Sequence, residues 1–507
     1  MSGIAAGYGR PKKVELEAVM AKMVHRGPCL SGIYENNGAI VAQNYLEADG
    51  VIGVSPGQIP YHDVENPGLV IVYDGQMGNW FDLAPKYNIA EGPFREERLL
   101  LALYKEHGRD MLQYLGDTIF AFIILDGQDM LVARDLLGIK TLFYGYRDGT
   151  LYFATELKGL MVVTDCVNEF PNGYYMDGNG DLTRFASLPD SMPEPWHFSI
   201  EKMSQDIRDI IERSFRNRVD FNLATGGLLS GGMDSSVINY IGSKIIKEKR
   251  GDKTQLKTFA LGVGESSDIH AARIVAEQVG TEHQELIVDL EELLSVLPDV
   301  IYYLENFDPS LVRSSASNYL ISRYAREAGI EVLLSGEGGD EVFCGYKYLG
   351  ECPADELFTG QMECIGYLHN NASLRLDRMN QSNSVRVVAP LISNELLEYS
   401  LRIPPHYKQK PQKGKPNIEK WIFRKAYEDV LPKSVVWRSK QEFSQGSGSA
   451  NVLSSHFETK ITDNELAAVR ADYPLVRSKE EAYYFRLFTE IFGKDKAIAT
   501  VGQWPFL

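Results

Sequence analysis

Apolar positions along the chain follow two rhythms. In the first part they come as short extended runs, such as Leu69-Val70-Ile71-Val72-Tyr73 and Thr118-Ile119-Phe120-Ala121-Phe122-Ile123-Ile124-Leu125. Each run closes near an Asp-Gly pair, which favours a hairpin turn. Helical spacing interrupts this part mainly over 14–23 and 96–107. An α+β domain rich in antiparallel strand is therefore expected over residues 1–186. Across 187–199, Pro189, Pro193 and Pro195 stand among polar neighbours, a composition that resists regular structure and suits a connection. From residue 200 the rhythm becomes an alternation. An amphipathic helix carrying Met203, Ile207, Ile210, Ile211 and Phe215 leads into a strand over 227–230, a helix from Ser235 and a strand over 256–263. A helix after Asp268, a strand over 285–288, helices over 290–303 and 315–328 and a strand over 332–335 continue it. That order predicts an α/β domain over 200–507 with a doubly wound parallel sheet. No internal repeat is visible.

Composition narrows the function. At 507 residues the chain has room for at least two cores, given roughly 100–200 residues per domain. With 44% hydrophobic and 24% charged residues spread throughout, it reads as soluble and globular. No stretch is apolar enough to span a bilayer, and the start lacks a basic region followed by a hydrophobic run. Cys29, Cys166, Cys344, Cys352 and Cys364 are scattered and never form a CxxC pair, so neither a disulfide framework nor a zinc site is expected, and a reducing cytoplasm fits. A net charge of -17 opposes non-specific binding of nucleic acid and favours small-molecule partners.

The densest chemistry lies in Leu228-Leu229-Ser230-Gly231-Gly232-Met233-Asp234-Ser235-Ser236. A strand running through a glycine turn into a helix brings backbone N–H groups and three hydroxyls to the positive end of the helix dipole, where phosphate is the natural occupant. The chain lacks the GxxxxGK(S/T) pattern of loops that transfer a terminal phosphoryl group.

This SGG-x-DSS loop resembles that of the ATP pyrophosphatases, which cleave ATP between its α and β phosphates. The whole chain resembles the asparagine synthetase and β-lactam synthetase group through His25-Arg26-Gly27-Pro28, Arg134-Asp135-Leu136-Leu137-Gly138, Ser335-Gly336-Glu337-Gly338-Gly339-Asp340-Glu341 and Trp437-Arg438-Ser439-Lys440. The resemblance implies an N-terminal-nucleophile-hydrolase-like sandwich followed by an ATP-pyrophosphatase domain, with ATP and Mg2+ as cofactors. It places ATP at Leu229, Ser230, Gly231, Gly232, Asp234, Ser235, Ser236, Val263, Ser335, Gly336, Lys420 and Lys440. Asp234 and Asp340 would hold Mg2+, Lys440 would sit over the α-phosphate and pyrophosphate, and Glu337 would orient or deprotonate the incoming amine. Lys408, Lys410, Lys413 and Lys415 form a basic island that either helps to receive a polyanion or is a solvated loop.

For the acid substrate, the resemblance points to Ser310, Arg313, Glu337, Asp340 and Arg386. Here the chain departs from the family: Leu311 replaces a threonine, and Arg386, Val388 and Ser393 stand where the pattern has Glu, Arg and Asp. Unchanged aspartate recognition is therefore not implied, although the three could also be a co-adjusted structural cluster. Glutamine-dependent members carry a cysteine after the initiator methionine, and this chain has Ser2. Asp74, before Gly75, replaces the oxyanion-hole asparagine; Gln76 replaces a glutamate, Tyr45 the carboxylate-gripping arginine, and Glu96 an aspartate. A carboxylate at the oxyanion position repels the charge that must be stabilised, so a disabled glutaminase is expected.

The first reading is thus an amide-forming ligase that adenylates aspartate or a related amino acid and transfers the acyl group to ammonia or an amine. A β-lactam synthetase-like cyclase is the second, although such enzymes carry tyrosine where this chain has Glu337. A silent scaffold homologue is the third, opposed by the presence of Asp234, Asp340 and Lys440. The expected partners are small molecules, not nucleic acid or membrane, and the oligomeric state stays open, a homodimer included.

Overall fold

The fold, taken from a computed structural model, is described for residues 2–36, 38–46, 53–264, 266–494 and 496–502; Met1 and 503–507, which the expected domain ranges include, lie outside the described residues. The chain groups into two compact units, Met1–Leu188 with Lys494–Thr500, and Pro189–Gly493 with Val501–Leu507.

The first unit holds two six-stranded antiparallel sheets. One runs in the order Val167–Glu169, Phe143–Arg147, Thr150–Ala154, Gly3–Tyr8, Ala39–Tyr45, Leu30–Asn36. The other runs Leu182–Arg184, Tyr174–Asp177, Asp129–Arg134, Thr118–Asp126, Leu69–Met77, Tyr61–His62. The two-residue period of a strand explains the layering. Val70, Val72, Ala121 and Ile123 face Ile4, Ala6, Val41 and Phe153 of the opposite sheet. Their neighbours Ile71, Tyr73, Phe120 and Phe122 point the other way, onto Leu99, Leu100 and Leu103 of the helix Arg95–His107. The helix Lys13–Lys22 buries Leu16, Val19 and Met20 against the first sheet. This is the expected sandwich.

Only one of the two Asp-Gly pairs turns the chain. Asp126-Gly127 closes a hairpin in which Asp126 opposes Asp129. At Asp74-Gly75 the Leu69–Met77 strand runs on, with Asp74 opposite Ala121 and Gly75 opposite Phe120. The reason is tertiary: Asp74 is fully buried and held in the strand by Arg26, whose Nη2 lies 3.0 Å from its Oδ2.

The second unit is built on a five-stranded parallel sheet in the order Glu282–Val288, Lys257–Val263, Thr225–Leu228, Val332–Leu334, Arg386–Val388. The chain starts in the middle, winds out to one edge, then returns to the other side. The strand order therefore reverses between Thr225–Leu228 and Val332–Leu334, where ligands bind outside the carboxyl ends of such sheets. The helix Ile200–Arg218 buries Met203, Ile207, Ile210, Ile211 and Phe215, as its spacing predicts, and Ser199 caps its first turn by accepting from the Lys202 amide at 3.2 Å. The proline-rich segment is tied down at its end: the Trp196 indole donates to the Tyr399 carbonyl at 3.1 Å, and the Arg402 guanidinium lies 4.6 Å from its ring centre.

The Arg386–Val388 strand and the hairpin Gln409–Gln412 with Lys415–Glu419 were not foreseen, because runs of three to five residues carry too little periodicity. The basic island divides accordingly. Lys408 is buried, its ammonium donating to Gln361 Oε1 at 2.7 Å and to the Ser400 carbonyl at 3.1 Å. Lys413 and Lys415 are exposed, and Lys410 lies 4.7 Å from the Trp421 ring centre. All five cysteines are free thiols. Among the described residues no helix is long and apolar enough to cross a membrane.

Candidate active site

Two loops leave the carboxyl ends of the central strands and meet in one cavity. The first, after Thr225–Leu228, turns through Ser230-Gly231-Gly232 into the helix Met233–Arg250. Gly231 has φ +69°, and a Cβ there would lie 2.4 Å from the Ala271 carbonyl carbon, so the turn requires glycine on both counts. Gly232 starts the helix with no side-chain cap, which leaves the dipole and terminal amides to an anion rather than to the protein's own oxygen. The Ser230 and Ser235 hydroxyls are 3.0 Å apart and brace the turn. Asn239 Nδ2 donates to the carbonyls of Leu228 and Ser235, both at 2.8 Å, tying strand end to helix start. The second loop, Ser335 to Asp340, packs backbone against backbone on the first: a Cβ on Gly336 would meet the Ser235 nitrogen at 2.7 Å.

Across this cleft Asp234 and Asp340 share two ammonium groups. Lys420 Nζ lies 2.5 Å from Asp234 Oδ2 and 2.7 Å from Asp340 Oδ1, and Lys440 Nζ lies 2.5 Å from Asp340 Oδ2. Burial alone would raise the Asp340 pKa, but Lys420 and Lys440 overcome it and hold the carboxyl well below its usual range. Lys440 is shifted the other way: burial opposes its charge, while Asp340 and Asp234 raise its pKa further than burial lowers it. Lys420 sits at φ +54°, a left-handed conformation that costs a non-glycine residue of order 1 kcal/mol. Arg424 staples the lysine-bearing segments together, its Nε donating to the Glu419 carbonyl at 2.7 Å and its Nη1 to the Arg438 carbonyl at 3.0 Å. Glu419 Oε1 in turn accepts from the Lys440 amide at 3.0 Å.

The pair suits Mg2+, which usually takes one or two carboxylates together with phosphate oxygens. Asp234 Oδ1 is buried without a hydrogen-bond partner, a donor atom left for a cation. Among the described residues there is no cluster of three or more metal-ligating side chains, so phosphate oxygens would complete the shell.

Of the expected nucleotide residues, Leu229, Ser230, Gly232, Asp234, Ser235, Ser335, Gly336, Lys420 and Lys440 line the cavity, with Glu337, Asp340 and Ser310 beside them. Gly231, Ser236 and Val263 are not among its lining residues. Gly231 packs on Ala271, the Ser236 hydroxyl turns back onto the Gly232 carbonyl at 2.7 Å, and the Val263 amide is committed to the Ser447 carbonyl at 2.8 Å.

Two expected substrate arginines also lie elsewhere. Ser310, Ser314 and Asn318 face the cavity at four-residue intervals on the helix Pro309–Glu327. Arg313 falls off that face and is held by Glu480, with Nε 2.9 Å from Oε1. Arg386 opens its strand opposite Val332, at the amino end of the sheet and away from the crevice. Val388 is buried in the same strand and Ser393 caps the helix Asn394–Leu401 by accepting from the Leu396 amide at 3.3 Å. Each thus has a structural task.

A further arginine that lines the cavity is Arg375, on the helix Ala372–Gln381; sequence reasoning missed it because the short helix shows nothing but ordinary charge. Its guanidinium pairs with Glu337 and lies 5.5 Å from the centre of the Phe443 ring. Burial pushes its pKa down to about 10. Asp268 and Arg438, 2.9 Å apart, are further lining residues that the sequence left unassigned.

In the first unit, the residues expected in a glutaminase pocket are engaged with one another. Asp74 accepts from the Ser2 nitrogen at 3.1 Å and is matched by Arg26 at 3.0 Å and Lys140 at 3.3 Å. Gln76, two residues on, is buried in the same strand as Asp74 and Gly75. Tyr45 packs with Ile59 and Phe94 in an apolar cluster, and its hydroxyl donates to Glu97 at 3.2 Å. Glu96 accepts from the Tyr73 hydroxyl at 2.8 Å and the Met77 amide at 3.2 Å.

Comparison with known proteins agrees with this layout. The sequence model of a glutamine amidotransferase domain matches residues 1–175, and that of asparagine synthase matches 206–360 and 354–497. Asparagine synthetase B [glutamine-hydrolyzing] of Escherichia coli (strain K12) is 32% identical across 98% of this chain and 91% of its own length. A probable asparagine synthetase of Schizosaccharomyces pombe is 33% identical across 98% of this chain and 92% of its own, and asparagine synthetase 1 of Saccharomyces cerevisiae is 31% identical across 98% and 93%. With a mononucleotide-type crevice, paired carboxylates and lysines, and this match along both units, the chain belongs to the asparagine synthase family of ATP-dependent carbon–nitrogen ligases.

Proposed function

We propose that this chain adenylates aspartate or a related amino acid, using ATP and Mg2+, and passes the acyl group to ammonia, with glutamine no longer its nitrogen source. The observation that carries the reading is the Asp234–Lys420–Asp340–Lys440 chain of charges at the mouth of an uncapped helix, next to the Glu337 carboxylate. Asp234 and Asp340 would hold Mg2+, which offsets the charge that develops on pyrophosphate. When phosphates arrive, Lys420 and Lys440 exchange carboxylate partners for phosphate oxygens and keep the leaving group in line. An acid oxygen then bonds to the α-phosphorus as the bond to the bridging β-oxygen breaks. Glu337 takes the proton that ammonium must lose before its nitrogen can attack the acyl carbon and expel AMP.

A carboxylate at position 337 supports an external amine over ring closure, since it gives a proton acceptor for ammonium. Loss of glutamine hydrolysis is supported by the Asp74 carboxylate, neutralised where the resemblance expects an amide donor, and by Tyr45, buried in an apolar cluster where the resemblance expects an arginine. The test is to incubate the purified chain with ATP, Mg2+ and a panel of amino acids, supplying ammonium, glutamine or neither. Amide formed with ammonium alone is expected. Amide and glutamate formed from glutamine would contradict the nitrogen source, and a ring formed without added nitrogen would contradict the external amine.

A further inference from the structure

We infer that Arg375, together with Asn318, holds the carboxylate of the acid that is not activated, and that engaging it releases Glu337 for the incoming amine. The inference rests on the ligase reading above. Two buried donors in this cavity lack acceptors: Arg375 Nε and Asn318 Nδ2. They stand on helices that pack against one another, Ala372–Gln381 and Pro309–Glu327. Unpaired buried donors are costly, and two of them in one ligand cavity point to an anionic acceptor rather than to a cation or an apolar group. The Phe443 ring lies against the guanidinium and limits its orientations.

The other cations around the cavity are already committed: Lys420 and Lys440 to Asp234 and Asp340, Arg424 to Glu419, Arg438 to Asp268. Arg375 alone of these pairs with a residue assigned to the amine step. A carboxylate bound to a guanidinium is a poor base, because the bond occupies its lone pairs and favours its ionised form. An acid whose second carboxylate takes over Arg375 therefore does two things at once: it fixes its own reactive carboxylate toward the phosphates, and it frees Glu337 to accept a proton. Arg313 and Arg386 cannot do this from their positions.

Aspartate and β-alanine separate this role from a structural one, since β-alanine keeps the amine and the carboxylate to be activated but lacks the second carboxylate. Pyrophosphate release is measured for wild type, Arg375→Met and Arg375→Lys, with thermal melting to follow folding. For Arg375→Met the aspartate KM is expected to rise roughly 100-fold, while β-alanine, as substrate or as inhibitor, keeps its constant within about threefold. Arg375→Lys should fall between, since an ammonium cannot copy the guanidinium fork. Glu337→Gln moves the other way, lowering the aspartate KM by freeing Arg375 while slowing amide formation from the adenylate. An aspartate KM unchanged in Arg375→Met, equal losses for both acids, or a raised aspartate KM in Glu337→Gln overturns the inference. Wild-type protein that releases no pyrophosphate with aspartate or with any other acid of the panel fails the ligase reading itself, a result distinct from these.

Discussion

Asp234 and Asp340 neutralise Lys420 and Lys440; in the proposed reaction they would turn to a cation. Asp234→Asn and Asp340→Asn should each lower acid-dependent pyrophosphate release by at least about 100-fold while the protein stays folded; release at the wild-type rate in both would remove the metal assignment. Burial also leaves a titration signature. It pushes Glu97 up to about 7 against the opposing hydrogen bond from Tyr45, and Glu341 likewise to about 7, the latter helped by Asp340. In the unfolded chain a glutamate ionises near about 4.3. Between these values the folded protein keeps protons that the unfolded chain has released, so the contribution of these two glutamates to stability is complete below about pH 4 and is lost as pH rises through about 7. Each pKa unit is worth about 1.4 kcal/mol, so the melting temperature should fall between about pH 5 and 8 and fall less in Glu97→Gln. A variant whose profile matches wild type would contradict a raised Glu97. Individual residues were unevenly legible: Asp234, Asp340 and Lys440 stood in motifs, whereas Arg375 and Asn318 are set by which helix face meets the cavity.

At the scale of elements, the glycine turn is the most constrained. Gly231→Ala places a Cβ against the Ala271 backbone and forces a left-handed alanine, for a cost of about 2 kcal/mol or more. Denaturant unfolding should show that loss, and the KM for ATP should rise at least about tenfold as the amides lose their aim; wild-type values for both would mean that the turn tolerates a side chain. Long elements with a clear period were readable, as Ile200–Arg218 and Thr118–Asp126 show. Short ones were not, and two local signals misled. Asp74-Gly75 has hairpin chemistry but lies inside a strand because Arg26 and Lys140 clamp it there. Lys408 belongs to a polar run by sequence, but its ammonium is buried on Gln361 and Ser400.

For the whole molecule, strand order decides where chemistry can happen. The reversal between Thr225–Leu228 and Val332–Leu334 brings together two loops about a hundred residues apart in sequence. Alternation of strand and helix was enough to expect this sheet, and the motifs told which loops matter. What pairing and burial add is the state of the first unit, where Ser2 lies among the buried Asp74, Arg26 and Lys140. Ser2→Ala should therefore leave ammonium-dependent amide formation as in wild type, and a loss beyond about tenfold would give the first unit a part in the chemistry that the pairing around Asp74 does not support. The most direct measurement of the central claim is phosphorus NMR of the nucleotide products formed with aspartate and ammonium. AMP and pyrophosphate rising in step with the amide are expected from this pocket; ADP with inorganic phosphate would contradict it.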